Sequence, residues 1–434
     1  MTDEEIVDVI IVGAGISGLY AAYRIRQIAP ELKILVLEAK DRVGGRTLTA
    51  DLKTSHDGNE TDRFDLGGQW LESLVSNVPT WDPMMTRNAD YLDQHTLADL
   101  MKPWIRNSGY ATPLLTASVR TVFGCEPEQV NALFALTYTQ AGGGFMRLSL
   151  TDPDCAQEKK IKGGSQQISQ LLVERLGTVL VTTSQNHKTF QCRKLILTIP
   201  PSQIIPIQFK PMLPGYKREM LKHMPIGCCI KFISIFDKAF WREDGLSGEV
   251  ISDGSFAPHA HSIGPMTYLI DGTSSNGTPA LLGFIGGRCA SVWTSATYEE
   301  RRKGLIECLS RYFGEPYSGG CPCHNATTGS MKDFVDGLRK SYKMIHFAGT
   351  ETATQWMGYM DGAVDAGRRA ASEVLVSFRD NNQLKDNDID QYTFENQNRK
   401  YQNVRVPRSK FYYVIPIIVV SIAAICKMLF PKML

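Results

Sequence analysis

Residues 6–28, IVDVIIVGAGISGLYAAYRIRQI, decide the fold. Val7–Val12 is a short β-branched run, which reads as a strand. It feeds Gly13-Ala14-Gly15-Ile16-Ser17-Gly18 and then a helix predicted over Ser17–Ile28. Gly13 allows the tight turn, Gly15 lets backbone amides approach a diphosphate with no Cβ in the way, and Gly18 lets the helix lie close to its strand. The helix N-terminus offers unbonded N–H groups and partial positive charge to the phosphates. A second strand, Lys33–Leu37, leads to Glu38, twenty residues beyond Gly18, where a carboxylate can accept hydrogen bonds from a ribose diol. A lone GxGxxG is weak. Strand, glycines, helix and downstream acid in this order make a dinucleotide site.

Three further stretches favour FAD over NAD. Asp41-Arg42-Val43-Gly44-Gly45-Arg46 suits a second pass over the diphosphate, with Arg42, Gly44, Gly45 and Arg46 as contacts. Phe64-Asp65-Leu66-Gly67-Gly68-Gln69 offers another strand-to-glycine turn, with Gly68 against the cofactor. Late in the chain, His346-Phe347-Ala348-Gly349-Thr350-Glu351 precedes a helix predicted over Gly362–Phe378, and Gly349, Glu351 and Met360 are candidates for the flavin end. A nicotinamide enzyme has no need of this late return. Further strands are expected at Lys194–Ile199, Cys229–Phe236 and Met344–Ala348, and helices at Ser165–Leu176 and Glu299–Tyr312. The fold class is therefore α/β, a Rossmann-like FAD-binding domain interleaved with a mixed α+β substrate domain. The expected boundaries are 1–72, 161–220 and 315–377 for the first domain, and 73–160 with 221–314 for the second.

Composition excludes several classes. In 434 residues, 47 Lys+Arg against 45 Asp+Glu leave a formal charge of +2, so there is no basic stripe for nucleic acid. Ten cysteines are too few for a disulfide scaffold, and the acidic N-terminus carries no secretory signal, which points to a reduced, cytosol-facing protein. Residues 411–430, FYYVIPIIVVSIAAICKMLF, form an apolar run of bilayer-spanning length, flanked by Arg408, Lys410 and Lys432. Following a polar linker at 378–410, they are expected to be a transmembrane helix that tail-anchors the chain to a lipid bilayer.

LEAKDRVGGRT (37–47), QEKKIKGGSQ (157–166), LTIPPS (197–202), YSGGC (317–321) and HFAGTETATQWMGYMDGAVDAG (346–367) resemble the monoamine oxidases of the flavin amine oxidase superfamily, through most of residues 5–377. The resemblance implies FAD bound covalently through Cys321. It implies Lys231 holding a water against flavin N5, Tyr359 as one wall of an aromatic amine cage, and Gln157 facing the substrate. It also implies oxidation of a primary monoamine by O2 to aldehyde, ammonia and hydrogen peroxide, residence on the cytosolic face of the mitochondrial outer membrane, with the endoplasmic reticulum as the alternative, and admits a homodimer. Read without the resemblance, Lys231 is an outward strand lysine and Cys321 a loop cysteine. Cys321-Pro322-Cys323-His324 lacks the second ligand cluster that zinc would need, so no metal is expected. Trp104, Phe145 and Phe284 are candidates to line an apolar cavity, or simply core.

The chain departs from the family in five places, one of them Ala141, which replaces a family cysteine lining the cavity. Pro322 stands where the second cage tyrosine belongs, and a stretch after Gly67-Gly68-Gln69-Trp70 is absent. The segment between Leu176 and Arg193 is contracted where the family has a strand at the adenine end of FAD, which predicts a lost central strand. The segment between Arg311 and Tyr317 lacks a tryptophan that packs near the flavin. Two alternatives accompany the oxidase reading: a catalytically silent flavoprotein of the same family, and a polyamine or L-amino-acid oxidase.

Overall fold

The computed structural model describes residues 6–55, 59–68, 70–71, 82–86, 88–105, 111–143, 159–176, 180–183, 190–255, 263–312 and 331–379. Gln157, Cys321, Pro322, Phe145, the linker beyond 379 and the 411–430 run lie outside the described residues. Among the described residues, no helix is long and apolar enough to cross a membrane.

The opening strand, β1 (Val7–Val12), is central in a five-stranded sheet, and its neighbours are parallel to it. On one side lie β2 (Ile34–Glu38) and β7 (Leu180–Thr183); on the other, β8 (Cys192–Leu197) and β13 (Ile345–Phe347). Alternation along these strands divides their side chains between two cores. Val9, Ile11, Val36, Ile196 and Ala348 face the helices Ile16–Ile28 and Met360–Arg379. Leu195, Leu197, Ile345 and Phe347 face the opposite layer, with the helix Ala132–Ala141. Coverage on both faces is why β1 carries no apolar–polar alternation. The first and last helices pack closely through small residues: Ala21, Ala22, Ala370 and Ala371 share one core, and a Cβ on Gly367 would lie 2.3 Å from the Ser17 carbonyl.

The segment expected to have lost a strand has kept one. β7 pairs with β2 from Leu35↔Leu180 to Glu38↔Thr183. Among the described residues it is the outermost strand of this sheet, and its four residues pair with β2 from Leu35 to Glu38. Other differences are shifts of one or two residues at element ends. β8 stops at Leu197 because Pro200 and Pro201 follow and cannot donate to a ladder.

A second, antiparallel sheet runs in the order β10 (Val250–Ile251), β11 (Tyr268–Asp271), β12 (Ala280–Gly286), β9 (Cys229–Ile235). One face buries Phe232, Leu281 and Ile285 against Trp293, Leu305 and Leu309 of two helices. The other face carries Cys229, Lys231, Ile233, Tyr268, Ile270, Leu282 and Phe284. Two further antiparallel pairs are separate from these sheets, β3 (Thr49–Lys53) with β4 (Thr61–Asp65) and β5 (Trp70–Leu71) with β6 (Lys159–Lys160).

Candidate functional site

The glycine turn after β1 is built as its spacing suggests. Gly13 has a φ of 107°, and a Cβ there would lie 2.4 Å from Thr198 Oγ1. A Cβ on Gly18 would lie 2.1 Å from the Gly13 carbonyl, so this is where helix and strand touch. Gly15 differs: the nearest atom to its absent Cβ is 3.8 Å away. It is the N-cap of the helix and supplies no side-chain cap, so the first-turn N–H groups have no side-chain acceptor from that position. Glu38 ends β2 with Oε2 accepting from the Ala14 N–H at 2.7 Å and Oε1 from the Lys40 N–H at 3.0 Å. Each oxygen keeps a lone-pair direction for a further donor.

The second glycine loop rests on the first, with Gly44 N–H donating to Ala14 O at 2.9 Å. Arg42 directs its guanidinium at the loop's own carbonyls, those of Val43 (3.3 Å), Thr47 (3.3 Å) and Gly45 (3.0 Å). In the structure it therefore shapes the Gly44–Gly45 turn. Arg46 forms a two-pronged pair with Glu351, at 2.6 and 3.2 Å, which ties this loop to the segment after β13. The Glu351 side chain is buried while Arg46 stays partly in solvent. Gly68 N–H donates to Arg46 O, and a Cβ on Gly68 would meet nothing within 4 Å. Met360, at the start of the last helix, is buried.

Lys231 is not an outward strand residue. Its side chain is 4% exposed, and Nζ donates to the backbone carbonyls of Asp65 (2.7 Å) and Gly67 (2.9 Å), where β4 enters its glycine turn. Burial pushes the ammonium down to about 7, opposed by Asp65 and reinforced by the like charge of Lys160. The Asp65 carboxylate is occupied elsewhere: Oδ1 accepts from the Thr49 hydroxyl at 2.7 Å and from the Ser165 N–H at 2.8 Å. Ser165 Oγ also lies 2.5 Å from Gly68 O, so Ser165 fixes the turn that Lys231 grips.

Phe284 and Tyr268 continue the row from Lys231, being its successive cross-strand neighbours on the same face. Tyr268 is half-buried, and burial pushes its phenol up. Sequence reasoning named Phe284 and missed Tyr268, because YLID is too short for its alternation to identify a face. Tyr359 is half-buried beside Trp356 at a ring separation of 5.7 Å and Tyr138 at 6.4 Å. Its carbonyl accepts from the Thr350 hydroxyl at 2.9 Å. The structure thus joins Lys231, Gly67, Arg46 and Glu351 by direct contacts, and Thr350 links the same segment to Tyr359. The Trp104 side chain lies outside the described residues.

A family model for flavin containing amine oxidoreductases matches residues 122–375, and one for an NAD(P)-binding Rossmann-like domain matches residues 11–87. The chain belongs to the flavin-containing amine oxidase family. It is 32% identical to amine oxidase [flavin-containing] B of Homo sapiens, covering 85% of this chain and 86% of that one. It is 30% identical to amine oxidase [flavin-containing] A of Equus caballus, covering 85% of each. Among solved structures it is similar to cyclohexylamine oxidase from Brevibacterium oxydans, with a TM-score of 0.75, 25% identity, and 86% of this chain and 100% of that one covered. Putrescine oxidase shares the fold at a TM-score of 0.75 with 22% identity, covering 86% of this chain and 99% of that one. As a member of this family the protein is an oxidoreductase that acts on amines with O2 and uses FAD. The described residues fit that cofactor: Gly68 leaves open space where a Cβ would stand, and Gly15 meets only ordinary van der Waals contact from the second glycine loop, beside a helix N-terminus with no side-chain cap and a carboxylate with acceptor capacity to spare.

Proposed function

We propose that this chain is a monoamine oxidase, converting a primary amine with an apolar tail to an aldehyde and ammonia while O2 is reduced to hydrogen peroxide. The observation that carries the reading is Lys231. A lysine buried in an apolar sheet face, clamped to the carbonyls of Asp65 and Gly67 and depressed to about 7, is an expensive arrangement for structure alone. Beside it the face is apolar. Among the described residues, the positions beside it on that face, Cys229, Ile233, Tyr268, Ile270, Leu282 and Phe284, include no carboxylate for the second ammonium of a diamine, which favours a monoamine over a polyamine.

FAD would supply the two-electron acceptor. Gly13, Gly15, Gly18, Gly44, Gly45 and Gly68 form its cradle, Glu38 takes the ribose, and the Arg46–Glu351 pair with Gly349 and Met360 supports the flavin end. Arg42 acts by holding the Gly44–Gly45 turn. Cys321 carries the covalent link, and Gln157 and Tyr359 orient the amine. Lys231 holds a water by donating to it, and its pKa lets it pass a proton near neutral pH. Residues 411–430 anchor the chain in the mitochondrial outer membrane. The cofactor domain comprises 1–72, 161–220 and 315–377, and the substrate domain the intervening parts.

Purified protein is acid-precipitated, and the peptide around Cys321 is weighed for attached flavin. Peroxide release on adding a monoamine is measured alongside. Flavin on Cys321 with peroxide release supports the reading; an unmodified Cys321 thiol and no release overturn it. Pro322 in place of the second cage tyrosine favours a second reading, a flavoprotein that binds FAD without turnover. Bound flavin that no amine bleaches anaerobically would select it.

A further inference from the structure

The cage tyrosine is held from behind by a residue outside every motif quoted above. Tyr138 lies on the helix Ala132–Ala141, one turn before a run of glycines that starts at Gly142. Its ring is 4% exposed, so it cannot meet an amine itself. It nevertheless approaches Tyr359 at a ring separation of 6.4 Å, with planes tilted by 39°. Trp356, also buried, meets the same ring edge-on at 5.7 Å and 75°. The half-buried Tyr359 ring therefore has its protein-facing side against two buried aromatics, and its remaining exposure is what a substrate would meet.

The backbone has been adapted to this contact. Gly358 sits at a φ of 87°, and a Cβ there would lie 3.0 Å from the Tyr138 hydroxyl and 3.1 Å from its ring. A side chain there would be strained by the positive φ and would push the Tyr138 ring back by a few tenths of an ångström, so glycine suits this close approach. Gly358 N–H is fixed by Thr350 Oγ1 at 3.0 Å, and Trp356 holds a left-handed φ of 49° while donating to Ala141 O at 2.9 Å. A strained residue kept by surrounding contacts is a feature of sites that need one geometry. Tyr138 is itself immobilised edge-on against Phe123 at 5.0 Å and beside Phe134 at 6.3 Å. The wall thus rests on the core through a continuous run of rings.

We propose that Tyr138 is a positioning residue for Tyr359: its buried ring, seated against Gly358, sets the angle at which the Tyr359 ring faces the amine. The proposal rests on the amine-site reading of Tyr359 given above. With Pro322 in place of a second tyrosine, one wall must orient the substrate alone, so the angle of that wall matters more.

Three variants of the full-length, flavin-loaded protein test it: Tyr138→Leu and Tyr138→Met, which remove the ring, and Tyr138→Phe, which keeps it. One readout needs no turnover. Tetranitromethane modifies accessible phenols, and peptide mass spectrometry reports the extent of nitration at Tyr359. The second is anaerobic flavin bleaching by benzylamine, followed against amine concentration. Removing the ring is expected to raise Tyr359 nitration several-fold at unchanged flavin content. The limiting bleaching rate should fall by about ten- to a hundredfold, as for a reacting group displaced by an ångström, with the half-saturating amine concentration little changed. Tyr138→Phe should behave as the unmodified chain in both. Nitration of Tyr359 that is unchanged or lower in both ring-less variants overturns the proposal. If the parent protein bleaches with no amine, the amine-site reading fails on its own, and the nitration comparison still decides what Tyr138 does to Tyr359. Tyr138→Met serves should Tyr138→Leu prove unable to hold flavin.

Discussion

Replacing Lys231 by methionine should change how stability depends on pH more than stability itself. Moving the ammonium from 10.5 to about 7 corresponds to roughly 5 kcal/mol of extra cost for carrying the charge in the folded protein, at ~1.4 kcal/mol per pH unit. Below pH 7 both folded and unfolded chains are protonated and that cost is present in full. Between pH 7 and 10.5 the unfolded lysine binds a proton that the folded one does not, so stability rises with pH. Above 10.5 both are neutral and the cost is gone. The stability difference between parent and Lys231→Met should therefore grow in the parent's favour by ~1.4 kcal/mol per pH unit, or about 2 kcal/mol between pH 7.5 and pH 9. Lys217, held by the carbonyls of Asp336 and Lys340 and lowered to about 8 by burial, gives a similar slope to both proteins and cancels in the difference. The offset between the two proteins is less informative. Methionine leaves the Asp65 and Gly67 carbonyls without their donor, at ~1–3 kcal/mol each, and relieves a buried cation by a comparable amount. Urea unfolding at pH 7, 8 and 9 measures the slope. Parallel curves for the two proteins would refute the buried, depressed lysine, and with it the observation on which the functional reading stands.

Three other substitutions probe the remaining parts of the site. Gly18→Ala places a Cβ 2.1 Å from the Gly13 carbonyl, a backbone atom that cannot swing aside. It should cost ~1–3 kcal/mol and yield protein lacking the flavin absorbance, which a spectrum of the purified variant checks. Glu351→Gln leaves Arg46 without its ionic partner. Because Arg46 is partly in solvent, the loss should be only ~1–2 kcal/mol, and a double-mutant cycle with Arg46→Met should return a coupling of that size. Cys321→Ala should leave flavin bound but extractable by acid, so that colour moves from pellet to supernatant; colour that stays in the pellet would place the covalent link elsewhere.

What was legible in the sequence was whatever a side-chain pattern encodes. The β1–glycine–helix–β2 unit is announced by β-branched runs and by glycines whose Cβ positions are filled by Thr198 and Gly13. The strand of Lys231 was legible too, as a short apolar run rich in isoleucine. The partners of Lys231 were not. They are backbone carbonyls 166 and 164 positions away, and a carbonyl acceptor has no residue type to recognise. Arg42 shows the same limit in reverse, since an arginine beside two glycines reads as a phosphate ligand until its donors are seen on Val43, Gly45 and Thr47. Tyr138 was hidden for another reason. Its helix, ALFALTYTQA, is buried nearly all round, so no polar face reveals the period and no position in it stands out.

The contracted segment before β8 shows why a shorter chain need not mean a broken site. Had the sheet lost an interior strand, two neighbours would have been left with unpaired backbone groups in the core, a cost no domain of ordinary stability survives. The structure instead keeps β7 outside β2, where only one side needs pairing, and its last pair places Thr183 opposite Glu38. The strand that ends in Glu38 is therefore paired from Leu35 onward, and Glu38 accepts from the Ala14 N–H. On the far side of the sheet, β13 leads into the Gly349–Glu351 segment, which Arg46 binds back to the second glycine loop. The cofactor cradle depends on these two clamps, one on each flank of β1, and both lie within the described residues and intact. Within the described residues the question of turnover therefore moves to the amine side, where the proposed reading leaves a single tyrosine wall, Tyr359, with Tyr138 behind it.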